Sequence, residues 1–419
     1  MKRWSWTLCT LLLAGACTQD SPTEAGSGLL PPNAIRTFEF VLGPELFLQW
    51  DTAFGLYSAT ADAPFTVIAN EYEGALNSRT LLRYDIPRVI SVIDTLGVLR
   101  TDSMPIFFAG DVRVLLDTLG STPPPAELSL YRTTEDWDRL TATWDHRVDS
   151  TGVQIPWAEP GGSPGALIGT GTYEEGDTVF VPVDSATIAI WADTTDITRG
   201  GVLDVSTGAR LRASVPTLRL RARSRFQPDT VVELTLAPGR TFIFEPTQPE
   251  SVGEPRVGGT PAWRTVIRLQ DRLDTLTLAC PGVPDCTIRL GEASINYAAF
   301  QWQPVPAPAG FAPELPLSIA LHALLPSPLL PLERSPLTGA VGVPREVPVT
   351  SFTAPDAPVV ELPATEFVRV MFAPDSASFT PTHFALLPSG STRTFGFGTF
   401  AGLPSMRIIV TLAREIQLP

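Results

Sequence analysis

Proline limits this chain more than any other feature. It occurs 42 times in 419 residues and, with 32 glycines, leaves few stretches long enough for a helix. Inside a helix, proline removes a backbone donor and clashes with the preceding turn, at a cost of about 3 kcal/mol. A helical bundle is therefore excluded, and short strands joined by turns must carry the fold. Apolar residues make up 44% of the chain and charged residues only 18%, so a sizeable core can form and the body does not stay disordered. At roughly 150 residues per domain, the length suggests two or three globular units.

The charge balance restricts partners. Formal charge is −14, and Lys2 is the only lysine, so arginine carries the positive side. A net acidic surface repels phosphate backbones, which argues against a nucleic-acid partner.

Lys2 and Arg3 precede an apolar run from Trp4 to Ala16. That run falls short of the roughly 20 residues a membrane span needs and reads as an export signal occupying residues 1–16. The stretch L-L-L-A-G-A-C, ending at Cys17, resembles the bacterial lipobox, with Leu13 one place earlier than that family prefers. The resemblance implies a lipidated Cys17 as the new N-terminus; secretion with a free Cys17 thiol is the other reading. Residues 17–35 read as a flexible polar tether after that cysteine. Thr18 stands where an inner-membrane retention signal has Asp, so the resemblance implies the outer membrane. A lipid anchor is then the expected membrane contact.

Self-comparison reveals a period. R-T-L-L-R-Y at 79–84 returns as R-T-V-I-R-L at 264–269, and P-T-L-R-L-R at 216–221 as P-S-M-R-I-I at 404–409, offsets of 185 and 188. L-S-L at 128–130 answers L-S-I at 317–319, and V-P-V-D-S at 181–185 answers V-P-V-T-S at 347–351, the latter at an offset of 166. Strands show as period-two alternation. Thr80, Leu82, Tyr84 and Ile86 share one face, leaving Arg79, Leu81, Arg83 and Asp85 on a wet one. Leu218 and Leu220 alternate with arginines, and Phe395 and Phe397 with glycines. The best helix candidates are Ser185 to Ala192 and Pro363 to Val370. The expected fold is all-β: two tandem antiparallel β-sandwiches of jelly-roll type, related by internal duplication. They would span residues 36–225 and 226–419, meeting at the polar stretch 224–229.

The first half carries S-R-T-L-L-R-Y-D-I-P, then A-E-L-S-L-Y-R, then T-E-D-W-D-R-L-T-A-T-W-D. This resembles the DNRLRE-type domains of secreted bacterial proteins, related to a family of carbohydrate-binding modules, over roughly Thr37 to Ala222. The resemblance implies a β-sandwich used for attachment or glycan binding, without catalysis. Asp145-His146-Arg147-Val148 replaces the asparagine and proline that usually follow the second tryptophan, and the second half lacks the two-tryptophan segment. Trp137 and Trp144 fit either a sugar-stacking platform or plugs at the end of the sandwich, the latter being the commoner use.

Other chemistry is sparse. Gly161-Gly162-Ser163-Pro164-Gly165 matches the nucleophile-elbow pattern G-x-S-x-G, but Pro164 has no N–H for an oxyanion, so the motif reads as a turn. His146, His322 and His383 lie too far apart for a transition-metal motif. Glu174, Glu175 and Asp177, and likewise Glu135, Asp136 and Asp138, are clustered carboxylates that could hold Ca²⁺, solvated turns being the commoner explanation. Cys280 and Cys286 bracket a turn-rich loop and are expected to form a disulfide. The functional expectation is a non-catalytic, lipid-anchored envelope module that binds polysaccharide or a surface protein. Two other readings stay open: a structural or adhesive spacer without a small ligand, and a carbohydrate-active hydrolase using the acidic loops.

Overall fold

The computed structural model describes residues 35–55, 59–150, 152–193, 195–196, 199–245, 253–260, 262–325, 332, 335, 337–373, 381–389 and 394–413. The chain is all-β, as its proline spacing and period-two alternation require. It starts with β1 (Ile35–Leu42) and β2 (Leu48–Phe54), which pair far away in sequence. Then come β3 (Thr66–Tyr72), β4 (Leu76–Arg83), β5 (Ile90–Ile93), β6 (Leu99–Asp102), β7 (Ile106–Leu115) and β8 (Ala126–Thr133). A small hairpin of β9 (His146–Ser150) and β10 (Val153–Pro156) leads to β11 (Pro164–Tyr173), β12 (Thr178–Val183) and the helix α1 (Ser185–Ala192). The first sandwich ends with β13 (Gly200–Val205), β14 (Arg210–Ala213), β15 (Thr217–Ser224), β16 (Gln227–Leu236) and β17 (Gly239–Glu245).

In this unit A, one sheet runs β11-β8-β13-β4, with β17 paired to β4 and β14 reached through β3; the other runs β12-β7-β15-β16. Leu82, Leu128 and Leu203 from the first sheet meet Val112, Val181 and Leu218 from the second in one core. The alternation in β15 holds: Leu218 and Leu220 are buried, while Arg219 turns outward to pair with Asp111 at 3.0 Å. Helix α1 forms where expected, with the Asp184 carboxylate accepting the Thr187 N–H at 2.7 Å as its N-cap.

Unit B contains β18 (Arg256–Val257), β19 (Arg264–Leu269), β20 (Thr277–Ala279), β21 (Thr287–Arg289), β22 (Ser294–Trp302), β23 (Pro304–Val305) and β24 (Leu317–Leu324). It continues with β25 (Leu337–Ala340), β26 (Arg345–Val347), β27 (Val360–Pro363), the helix α2 (Thr365–Phe372), β28 (His383–Pro388), β29 (Gly398–Phe400) and β30 (Ser405–Ala413). Its sheets run β27-β22-β30-β1 and β25-β24-β28-β19-β2. The order β12-β7-β15-β16 returns as β27-β22-β30-β1, and β11-β8-β13-β4-β17 as β25-β24-β28-β19-β2; β3 and β14 extend the unit A sheet only, and β18-β29-β23 forms a separate small sheet in unit B. The duplication read from sequence is therefore visible in the topology. Three of the four matched segments fall on equivalent strands: β4 and β19, β8 and β24, β15 and β30. The fourth does not, because β12 and α1 correspond to β27 and α2, aligning Pro182 with Pro363.

The repeat and the folded unit are different things here. β1 and β2 stand in repeat one as β16 and β17 stand in repeat two, and Glu39 and Pro44 recur as Glu233 and Pro238, each at an offset of 194. Yet β1 pairs with β30 and β2 with β19, whereas β16 pairs with β15 and β17 with β4. Each repeat thus lends its first two strands to the other repeat's sheets. The division into 36–225 and 226–419 marks the repeats but not the sandwiches, and 224–229 is the tip of the β15–β16 hairpin rather than a linker. The cause is burial: Phe38, Phe40 and Leu42 face the core of unit B.

The two units share an aromatic seam of Phe65, Phe242 and Phe244 against Trp263, Phe311, Phe395 and Phe397. Phe311 and Phe395 stack with ring centres 5.4 Å apart. Phe395 and Phe397, expected on a strand, instead lie just before β29 in this seam. A Cβ on Gly396 would sit 2.2 Å from the Ala312 carbonyl oxygen, so backbone contact rather than pleating dictates that glycine. Across the seam the buried Arg210 guanidinium pairs with the Glu314 carboxylate, and the Gly310 N–H donates to Glu73 at 2.7 Å.

Cys280 and Cys286 form a disulfide, with Cα atoms 5.3 Å apart, that closes the β20–β21 hairpin. For so short a loop the chain-entropy contribution is about 2 kcal/mol. Reduction is expected to lower stability by about that amount, read as a drop in melting temperature that Cys280→Ser reproduces without reductant.

Candidate functional site

Of the sequence-predicted site residues, Trp137 and Trp144 lie nearest a defined structure. They belong to the segment between β8 and β11, which lies across the outward face of β13, β4 and β17. That face was expected to be wet. Instead Leu81, Val202 and Ile243 are covered by Trp137, Trp144 and Trp157, all buried. Each of the two predicted tryptophans is capped by a β4 arginine. The Arg83 guanidinium lies 4.8 Å from the Trp137 ring and Arg79 lies 5.4 Å from Trp144. Such contacts contribute about 0.5–2 kcal/mol each. Arg79 is held by Asp204 at 2.8 Å and donates to the Gly161 carbonyl at 3.1 Å; Arg83 donates to Asp136 and, at 3.0 Å, to the Trp137 carbonyl. With one side against the sheet and guanidinium groups over the rings, neither tryptophan offers a free face to a sugar. They pack as plugs.

The G-x-S-x-G sequence supplies the clasp that shuts this cover. Gly161 lies at φ +84°, and a Cβ there would meet Trp144 at 2.9 Å and Arg79 at 2.7 Å. The buried Ser163 hydroxyl donates to the Glu135 carboxylate at 2.5 Å and accepts the Glu159 N–H at 3.0 Å. Glu135 also accepts the Ala158 N–H at 2.8 Å and lies 3.7 Å from Arg147. Ser163 is therefore engaged in structure rather than presented as a nucleophile, and Pro164 follows it without an N–H. Sequence reasoning missed this role of Glu135: its partner is 28 residues away, and no short-range pattern signals that closure.

Glu135, Asp136 and Asp138, which could have held calcium, are divided among other partners. Glu135 serves Ser163, Asp136 serves Arg83, and Asp138 accepts the Leu140 and Thr141 N–H groups of its own turn at 3.0 and 2.9 Å. Glu174, Glu175 and Asp177 are exposed in the β11–β12 turn, where Asp177 accepts the Thr178 hydroxyl at 2.9 Å. Among the described residues, no three His, Cys, Asp or Glu side chains come together as a metal would need. His322 and His383 make local contacts, to the Thr338 carbonyl and the Thr382 hydroxyl, each at 2.9 Å. Burial, with Arg268 adding to it, lowers the His383 pKa. Cys17 lies outside the described residues.

The clasp has a pH signature. Burial works to raise the Glu135 pKa, but the Ser163 hydroxyl, the Ala158 N–H and the Arg147 charge outweigh it and hold it below the ordinary glutamate range. A carboxylate depressed in the folded state stabilises fully above its unfolded pKa, about 4.3, and loses that contribution as pH falls through the folded value. Glu135→Gln is expected to cost about 1–2 kcal/mol at pH 7, since a neutral amide replaces a charged acceptor. The melting-temperature gap between wild type and variant should narrow from pH 7 to pH 3.

A surface feature that the sequence reading did not single out stands on the opposite sheet of unit A. The β5–β6 hairpin buries Ile90 and Val92 against Ala222 and turns Ile93, Leu96, Val98 and Leu99 to solvent. Its base is fixed by the buried Asp102 carboxylate, which accepts the Ser224 hydroxyl at 2.7 Å and the Arg225 N–H at 2.9 Å.

No family model matches the chain, and no curated protein matches it at a significant level.

Proposed function

We propose that this chain is a lipid-anchored envelope protein acting as a non-catalytic attachment or binding module. The reading is supported by the lipobox-like L-L-L-A-G-A-C ending at Cys17, the disulfide suited to an oxidising compartment, and the resemblance of the first half to DNRLRE-type domains. The observation that carries the attachment part is the exchange of edge strands. The tether leads directly into β1, and β1 and β2 are hydrogen-bonded into unit B while unit A follows them in the chain. Load taken up at the N-terminus is therefore shared by both sandwiches and their aromatic seam.

The covered tryptophans shift the balance within this reading. A polysaccharide partner would have to be met elsewhere than at Trp137 and Trp144, so attachment or spacing through the rigid body fits better than sugar stacking at that place. Metabolic labelling with an alkyne fatty acid tests the anchor. Wild type should be labelled and sediment with membranes, and Cys17→Ser should be unlabelled. An unlabelled wild-type chain in the soluble fraction would overturn the proposal.

A further inference from the structure

We infer that the β5–β6 hairpin of unit A is a membrane-contacting finger, its aliphatic tip resting in the interfacial layer of a lipid bilayer; the inference rests on the envelope reading above. Leu96 is 81% exposed, Leu99 69% and Ile93 60%. Ile93 and Leu99 are cross-strand partners, so they share one face, and the exposed Leu96 lies in the turn between them. Solvated apolar groups of this size ordinarily fold inward, because burial is worth about 25 cal/mol per Å² of apolar surface. Here the scaffold prevents it. The Asp94 carboxylate accepts the Leu96 and Val98 N–H groups, both at 2.9 Å, the Asp94 N–H donates to the Val98 carbonyl at 2.8 Å, and Gly97 sits at φ +76°. The inner face is occupied by the packing of Ile90 and Val92, and the base by Asp102. The tip is thus held out in a fixed shape.

Two features select lipid as the occupant. The hairpin carries no uncompensated negative charge, because Asp94 pairs with Arg100 at 3.0 Å and Asp102 with Arg225 at 3.3 Å, on a protein of net charge −14. Headgroups would therefore meet this apolar tip without the repulsion that the rest of the surface brings. The tip is also purely aliphatic, whereas the residues that dominate protein–protein contacts are Trp, Tyr and Arg. A fluid acyl boundary requires apolar area and no shape complement. Residues 18–34 give the tether a reach of at most roughly 60 Å, which keeps the finger at high effective concentration near the bilayer that holds Cys17. Lipid attachment is stable when two apolar signals act together, and the finger would be the second.

The test separates the finger from the anchor by using the Cys17→Ser chain without residues 1–16, which lacks both the lipid and the apolar export signal. Flotation with phosphatidylcholine vesicles should carry Cys17→Ser upward, and adding Leu96→Asp and Leu99→Asp should reduce the bound fraction at least tenfold. The melting temperature should not change, because both side chains are exposed. A bimane label on Leu96→Cys should shift to the blue with vesicles, and salt should leave the shift intact. Equal flotation of the Cys17→Ser chain with and without the aspartates would overturn the inference, as would a lipid-independent dimer that the aspartates dissolve. Failure of fatty-acid labelling with intact finger-dependent flotation would remove the anchor alone.

Discussion

A chain starting at residue 59 is expected to lose unit B and keep unit A. The deletion removes β1 and β2, the edge strands of both unit B sheets, together with Phe38, Phe40, Leu42, Phe47 and Leu48 from its core. At about 1.5–3 kcal/mol per buried side chain, the loss is roughly 8–15 kcal/mol. A domain's entire net stability is about 5–15 kcal/mol, so unit B has nothing left to hold it. The deletion also bares the hydrogen-bonding edges of β30 and β19, which favours aggregation. Unit A, spanning β3 to β17, keeps every strand of its sheets. Brief trypsin digestion should therefore degrade residues 253–413 and spare a fragment covering about 60–245, identified by mass. A peptide of residues 35–54 added in trans should restore protection by strand addition. A truncated chain that resists trypsin throughout would mean the exchanged strands contribute little.

This exchange also marks where sequence reasoning stops. None of the four matched segments covers β1 or β2, and their kinship with β16 and β17, seen in Glu39 and Pro44 recurring as Glu233 and Pro238, shows only once the topology aligns them. Local pattern does not say which sheet such a strand joins, because an edge strand finds equivalent partners in both copies of a duplicated fold. Choice of partner is a property of the whole chain. The sandwich cores were legible for the opposite reason: Leu218 and Leu220 alternate with arginines under a local, period-two rule. The cover over β4 was legible only in part. Trp137 and Trp144 mark the segment, but the Ser163–Glu135 clasp spans 28 residues, and of the face expected to be wet Leu81 is buried and Arg79 and Arg83 are partly covered because that segment folds back onto it, while Asp85 stays exposed. Phe395 and Phe397 show the converse error. Their alternation with glycine resembles a strand, yet Gly396 is small because it abuts the backbone of Ala312.

Glu314→Ala is expected to cost about 3–5 kcal/mol, the usual penalty for leaving one member of a buried ion pair alone. Glu314 and Arg210 expose only 6% and 8% of their side chains, so neither charge can turn to water. The guanidinium is enclosed by Tyr72 and Phe395, with ring centres at 5.7 and 5.5 Å, and burial already pulls its pKa below the ordinary arginine value. Glu314 also accepts the Phe395 N–H at 2.9 Å, so its loss frees the loop that fills the seam. Replacing both residues together, with Arg210→Met and Glu314→Leu, removes the desolvated charges as well as the attraction and should recover most of the loss. A double-mutant cycle read by denaturant unfolding gives the coupling directly. Calorimetry adds a second reading: the wild type, joined by the seam, is expected to unfold in one cooperative transition, and Glu314→Ala should separate unit A from unit B into two. A cost below about 1 kcal/mol with a single transition would place the cohesion of the two sandwiches in the aromatic rings alone.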